Sequence, residues 1–282
     1  YVGVTKTIIG VSGGLDSTLA LLSLCYAYDR YQLKRQDIIA VRMPSKENSP
    51  TSNQNAQELV DKLGVTSLVI PIQEDVNRQL AILKHDLENK DTTYENVQAR
   101  FRTYTLMNLA NHHKGLVVGT SDMSEIALGW STFNGDHMAM YGLNAGITKT
   151  VVIETVRFYK TIFPEVRKIL DLIIDAPISP ELSGSKQRTE DVIGKFAIND
   201  FILYHFLVDG DDAERISFLL TKAFQMDIKK AQAAVDNFNK RFYSQQYKRL
   251  TMPEGAKVLG ISLSPRTELK LNGDIYRIKV EE

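Results

Sequence analysis

The sequence predicts an α/β fold: a parallel sheet with helices on both faces, continued by a helical C-terminal extension. Three observations carry this. Short β-branched runs bounded by glycine or proline alternate with stretches of helical periodicity. The opening order is strand–helix three times over, and parallel strands need such crossovers. Beyond residue 193 the apolar spacing is helical and strand signals are sparse.

Thr7–Val11 reads as a buried strand, followed by a helix over Leu15–Tyr28. Ile38–Val41 is a second strand, stopped by Pro44. Asn53–Leu63 is a helix closed by Gly64. Ser67–Ile72 is a third strand, and Glu74–Leu87 a charged-face helix. Tyr94–Asn111 is a long helix leading to a fourth strand, Leu116–Gly119. Ser121 or Asp122 would cap the helix after it. Residues 130–137 are a polar loop and 142–149 a second glycine-rich turn. Thr150–Ile174 is one or two helices, broken near Pro164. Three helices follow: Phe196–Val208, Ala213–Phe224 and Asp227–Tyr243. Weak strand signals lie at Lys257–Ile261 and Asp274–Val280. The expected division is an α/β core over 1–174, a polar lid loop over 175–192 and the extension over 193–282, all in one domain.

Composition narrows the function. With 43% hydrophobic residues in 282, the chain can bury a full core. Lys+Arg and Asp+Glu number 34 each, so no global field favours nucleic acid or a membrane surface. Cys25 is the single cysteine, which excludes an internal disulfide framework and fits a reducing, cytoplasmic setting. No apolar run approaches the length of a membrane span. The chain opens at Tyr1, close to its first strand, as expected of a piece of a longer protein.

The chemistry concentrates in Ser12-Gly13-Gly14-Leu15-Asp16-Ser17. A strand that turns at two glycines into a helix presents free backbone N–H groups to a polyphosphate. Asp16 beside phosphates makes sense with a divalent cation between them. The pattern is neither a Walker A loop nor a dinucleotide fingerprint. It resembles the pyrophosphate loop of the N-type ATP pyrophosphatases. The rival reading is a glycine-rich turn with no ligand.

Two further stretches narrow the resemblance: Asn96-Val97-Gln98-Ala99-Arg100-Phe101-Arg102, and Gly119 to Gly129 through Thr120-Ser121-Asp122-Met123-Ser124-Glu125. With the first loop they look like NAD synthetase, and more narrowly like the synthetase domain of the glutamine-dependent enzymes. Trp130-Ser131-Thr132, Asn144 to Thr150, Ile178–Leu182 and Tyr247–Pro253 are similar too. The resemblance implies a Rossmann-like fold of the adenine nucleotide alpha hydrolase kind. It also implies that an N-terminal glutaminase domain, absent here, supplies ammonia from glutamine.

The implied reaction is ATP-dependent amidation of deamido-NAD (nicotinate adenine dinucleotide) to NAD+, through an acyl-adenylate, releasing AMP and pyrophosphate. By resemblance, Ser12, Asp16 and Lys149 are catalytic. Ser12, Gly13, Gly14, Leu15, Asp16, Ser17, Arg42 and Thr120 bind ATP. Asp16 and Glu125 hold Mg2+. Asn96, Arg100, Arg102, Glu125, Trp130, Asp136, Asn144, Lys149 and Lys186 bind deamido-NAD. The long helix from Tyr94 lies at a homodimer interface in that family. Simpler readings stand beside these: a surface arginine for Arg42, a helix-start acid for Glu125, a solvated lysine for Lys186, core packing for Trp130. Two other functions remain alternatives: another synthetase of the same loop class, such as a GMP synthetase, and a non-catalytic nucleotide-binding module. The second gives no reason for paired acids beside a lysine.

Overall fold

The computed structural model describes residues 3–178 and 189–275. The core runs β1 (Lys6–Gly10), α1 (Leu15–Arg30), β2 (Ile38–Arg42), α2 (Pro50–Leu63), β3 (Thr66–Val69), α3 (Gln73–Ile82), α4 (Thr92–His113) and β4 (Gly115–Gly119). It continues through α5 (Met123–Leu128), β5 (Tyr141–Gly142), α6 (Lys149–Ile162) and α7 (Arg167–Asp175). The extension holds α8 (Thr189–Ile193), α9 (Phe196–Tyr204), α10 (Ala213–Ala223), α11 (Ile228–Ser244) and α12 (Gln246–Leu250).

All five strands are parallel, in the order β3-β2-β1-β4-β5. Strand alternation divides the core. Ile9, Ile38, Ala40 and Val118 face α1, α2, α6 and α7, while Ile8, Ile39, Val41 and Val117 face α3 and α4. Both faces are therefore covered, as the continuous apolar strands require. The chain order reverses between β1 and β4, and the crevice beyond the carboxyl ends of such strands is where ligands bind in open α/β sheets.

Local chemistry sets most of the helix ends. Ser49 Oγ accepts the Ser52 N–H at the start of α2, where Pro50 opens the first turn. Gly64 closes it in the left-handed region, as anticipated. Asp91, Asp122, Asp212 and Asp227 cap α4, α5, α10 and α11 through side-chain oxygens. Each such cap contributes about 1 kcal/mol.

Several expectations change. β3 is shorter than Ser67–Ile72 and ends at Val69, because its alternate residues are solvent-facing on a sheet edge. α3 stops at Ile82, where Lys84 turns to a left-handed φ of 54°. The helix expected over Phe196–Val208 ends at Tyr204 and continues as a π-turn over His205–Asp209. Asp209 and Asp211 fasten that turn from either side of His205 Nδ1, at 2.9 and 3.0 Å. Lys257–Ile261 is irregular rather than a strand: among the described residues the isolated bridge nearby joins Gly255, before it, to Gly142. The second weak strand, Asp274–Val280, lies almost wholly outside the described residues.

The division at residue 193 is also less clean than expected. Met123, Ala127 and Leu128 of α5 pack into the core of the extension, with Ile202, Leu220, Val235 and Phe238. Of the expected lid, 179–188 lie outside the described residues, and 189–193 form α8. The Thr189 N–H reaches back to the Ile178 carbonyl at 3.1 Å.

Candidate active site

The first wall of the site is the turn between β1 and α1. Val11 still belongs to the sheet, its N–H donating to Val41 O at 2.9 Å. Gly13 then takes a φ of 84°, and a Cβ there would stand 2.1 Å from the Ser52 carbonyl oxygen of α2. Only glycine satisfies both conditions. Ser12 Oγ accepts the Gly14 N–H at 3.2 Å, and Ser17 O–H donates to Gly14 O at 3.1 Å. The serine hydroxyls thus tie the turn to itself. Gly14 at the N-terminus of α1 offers no side-chain cap, and among the described residues no side chain is seen to accept from its first N–H groups. Leu15 contributes backbone only, since its side chain belongs to the core.

The second wall follows β4. Asp122 caps α5, with Oδ1 accepting the Glu125 N–H at 2.9 Å. Its Oδ2 lies 3.0 Å from Lys149 Nζ. The same ammonium is 2.6 Å from Asp16 Oδ2 and 2.9 Å from Glu125 Oε1. Asp16 and Glu125, more than a hundred residues apart in sequence, therefore converge as expected. Asp122 joins them, which the sequence reading took for a cap alone. Lys149 is fully buried, ringed by acids and with the Phe196 ring 5.1 Å from its Nζ. In this arrangement the Lys149 ammonium faces the three carboxylates.

The charges explain this arrangement. Burial pushes the Asp122 carboxyl well above its usual range against the pull of Lys149. Burial likewise raises Glu125 to about 7. For Lys149, burial favours the neutral amine, but Asp122, Asp16 and Glu125 outweigh it and hold the ammonium firmly protonated. Three carboxyl groups crowd one ammonium at the strand ends, and their full ionisation calls for more positive charge than Lys149 alone supplies. Their ligand oxygens lie within 4.8 Å of one another, and Asp16 Oδ1 is buried without a hydrogen-bond partner. Hard oxygen donors with a spare lone pair fit a hard divalent cation.

Buried polar groups brace the two walls. Asn144 Nδ2 donates to Asp16 O at 3.0 Å and to Thr120 O at 2.9 Å, joining the β1 and β4 loops. Its amide nitrogen is spent on backbone, and it is 1% exposed. At the far end of α5, Lys248 Nζ donates to Gly129 O and Ser131 O at 2.7 and 2.6 Å. The buried Arg249 guanidinium donates to Ala127 O at 2.8 Å. A small cleft opens beside this brace, between Ser121, Ile126, Asp136, His137, Met252 and Pro253.

The remaining candidates spread outward. Arg42 ends β2 and pairs with Gln57 of α2, with its Nε buried and unpartnered. Asn96 Oδ1 accepts from Thr132 Oγ1 at 2.8 Å. Arg100 is exposed and donates to Phe133 O at 3.2 Å. Arg102 points elsewhere, to Ser45 Oγ at 3.1 Å and Asn48 Oδ1 at 3.3 Å, where it holds the loop after β2. Trp130 packs on the core of the extension beneath the Arg241 guanidinium, as its packing reading anticipated. Asp136 is exposed, and its Oδ1 accepts the Thr132 N–H at 2.9 Å. Lys186 lies outside the described residues.

Asp200 and Phe196 were not singled out in the sequence, and Arg249 entered only within the Tyr247–Pro253 stretch. A lone acid, a phenylalanine and an arginine on helices have no spacing that marks them. Asp122 had a signal: an acid between a strand-end Thr-Ser and Glu125, within reach of the cation that Asp16 already demanded.

A family model described as NAD synthase matches residues 1–251. A glutamine-dependent NAD(+) synthetase of Mycobacterium leprae is 38% identical, over 98% of this chain and 46% of its own. An NH(3)-dependent NAD(+) synthetase of Fusobacterium nucleatum is 28% identical, over 91% of this chain and 89% of its own. The chain thus spans about half the length of the glutamine-dependent relatives it matches, and nearly all of the ammonia-dependent one. Among solved structures, a glutamine-dependent NAD(+) synthetase from Cytophaga hutchinsonii shares the fold, with a TM-score of 0.79 at 14% identity over 96% of this chain and 50% of that one. A glutamine-dependent NAD+ synthetase from Acinetobacter baumannii, in complex with adenosine diphosphate, has a TM-score of 0.56 at 26% identity, over 95% and 45% of the two chains.

Proposed function

The chain belongs to the NAD synthase family, and from that premise we propose that it amidates deamido-NAD to NAD+ at the expense of ATP. One observation carries the reading: Asp16, Asp122 and Glu125 gathered on Lys149, beside a helix start that no side chain caps. A nucleotide-binding module has no use for three acids drawn together where phosphates arrive. An enzyme that splits ATP at the α-phosphorus does.

In this reading a nicotinate carboxylate oxygen attacks the α-phosphorus, and the bond to the bridging oxygen of pyrophosphate breaks. Ammonia then attacks the acyl carbon, giving up a proton as AMP leaves. The N–H groups of Gly13 to Ser17 receive the departing pyrophosphate. Asp16, Asp122 and Glu125 would hold Mg2+, which when bound offsets the charge of the phosphates. Lys149 keeps the three carboxylates converged and lowers their mutual repulsion. Arg42 and Thr120, at the ends of β2 and β4 on either side of β1, receive the nucleoside side of ATP. Asn96, Arg100 and Asp136 border the dinucleotide, with Trp130, Asn144 and Arg102 shaping the loops around it. Lys186 completes the set from the segment between α7 and α8.

The exposed Tyr104 on α4 supports pairing with a second copy along that helix. A glutaminase domain in the full-length protein would feed ammonia to the same acyl carbon, and a cytoplasmic setting supplies both nucleotides. The test is NAD+ formation from Mg-ATP and deamido-NAD, with ammonium or glutamine as nitrogen source, alongside pyrophosphate release. Pyrophosphate that appears only with deamido-NAD, and NAD+ that appears with ammonium, support the reading. No pyrophosphate with all substrates present overturns it.

A further inference from the structure

α6 begins at the site, because Lys149 is its first residue, yet Thr148 in front of it makes no side-chain cap. The missing cap comes from another helix. Asp200 of α9 accepts the Thr150 N–H at 2.9 Å and the Thr150 O–H at 2.8 Å on Oδ2. Its Oδ1 accepts the Ser124 hydroxyl proton. Ser124 lies in α5 next to Glu125, and its oxygen accepts the Lys149 backbone N–H at 2.8 Å. One carboxylate, 8% exposed, thereby ties the residue after Lys149 to the residue before Glu125. Phe196, one turn earlier on α9, lays its ring over the Lys149 ammonium.

We propose that Asp200 is a positioning residue: through Ser124 and Thr150 it fixes the start of α6 against α5, and so sets Lys149 against Glu125 and Asp16. The functional part of this inference rests on the reading above. The arrangement makes the helical extension part of the catalytic apparatus, although Asp200 touches none of the three site acids. A carboxylate suits the position because every partner donates. Asparagine at 200 would either turn an N–H toward the Thr150 amide, breaking that link, or keep Thr150 and reverse the bond to Ser124, whose oxygen would then accept from both the amide and Lys149 and lose its charged acceptor.

The test uses the full-length protein and three variants: Asp200→Asn, Ser124→Ala and the double change. A fourth, Phe238→Leu, loosens the core of the extension away from the site and serves as a control for destabilisation alone. Asp200→Asn is expected to lower ammonium-dependent kcat about tenfold to a hundredfold, as small misplacements of reacting groups do. Its KM for deamido-NAD should stay within about threefold, since it removes no substrate contact. Ser124→Ala should lose less, and the double variant should be no worse than Asp200→Asn, because both break one chain of bonds. Independently of activity, the Nζ and Cε resonances of Lys149, assigned by its own substitution in labelled protein, should shift in Asp200→Asn and stay in place in Phe238→Leu.

The inference falls if the two single losses add, if Phe238→Leu loses as much kcat for the same fall in Tm, or if the Lys149 resonances do not move. Should the wild-type protein form no NAD+ from ammonium, the proposed activity falls while those resonances still decide whether Asp200 positions Lys149.

Discussion

Two helices begin at this site without a cap of their own, and they are treated in opposite ways. At α1 the start is left open: glycines lead into it, serine hydroxyls fold back on the turn, and among the described residues no side chain is seen to accept from the first N–H groups. At α6 the start is closed by a carboxylate from a distant helix. An open helix start beside a glycine turn is a place for an anion to arrive. A closed one anchors a side chain, here Lys149. The contrast shows how one sheet edge provides both a binding surface and a rigid backing for it.

The contrast breaks most severely at Gly13. Gly13→Ala adds a carbon 2.1 Å from the Ser52 carbonyl, at a φ of 84°. Strain and overlap together should cost about 3 kcal/mol or more of stability, read as a fall in the urea midpoint. ATP-dependent turnover should vanish with it. A variant that keeps both its midpoint and its turnover would mean that the turn is not shaped by this close approach.

Asp16→Asn acts on the charge instead of the backbone. It leaves the turn intact and removes one acid from Lys149. Turnover should fall at least about a hundredfold, some 2.7 kcal/mol of barrier. Binding of deamido-NAD, measured calorimetrically, should survive. Loss of both together would place Asp16 in dinucleotide binding rather than in ATP chemistry. Withdrawing Mg2+ with a chelator should mimic the variant in the wild-type protein.

Glu125 probes the closed side through pH. Burial lifts its carboxyl from 4.5 to about 7 in the folded chain. Its contribution to stability is therefore present in full below about 4.5 and lost as pH rises toward about 7. Wild-type protein should lose stability relative to Glu125→Gln across that window and run parallel to it above. Denaturant midpoints taken below, within and above the window measure this, and parallel curves throughout would remove Glu125 from the buried cluster.

The smallest change is Ser12→Ala, which deletes the acceptor for the Gly14 N–H. About 1 kcal/mol is at stake. A roughly fivefold rise in KM for ATP with kcat unchanged fits a turn that only binds.

Much of the open side was legible in the sequence. Glycine at a left-handed turn, serines around it and an acid one step into the helix are short-range requirements, so they leave a short-range pattern. Asp16 was read from that turn, whereas Glu125 was paired with it through the family resemblance. The closed side was not legible. Asp200 bonds to residues 50 and 76 positions away, and nothing local distinguishes it from the other acids of the extension. Trp130 belongs to the packing of the extension as much as to its loop, because α5 sits in both cores. The strand expected over Lys257–Ile261 failed for a related reason. The sheet has little left to pair there, since β5 is only two residues long and takes a single bridge from Gly255.

That bridge bears on how the protein is made. The segment around Gly255 passes over β5 so closely that a Cβ on Gly146 would meet the Ala256 oxygen at 2.1 Å, and one on Gly255 the Gly142 oxygen at 2.4 Å. On the ribosome, β1 to β4 can pair as soon as residue 119 has emerged. The outer edge of β5 then waits, uncovered, while more than a hundred further residues are synthesised. A nascent chain halted within α10 or α11 would carry an assembled sheet whose β5 margin is still bare, a natural target for a chaperone or for another unfinished copy.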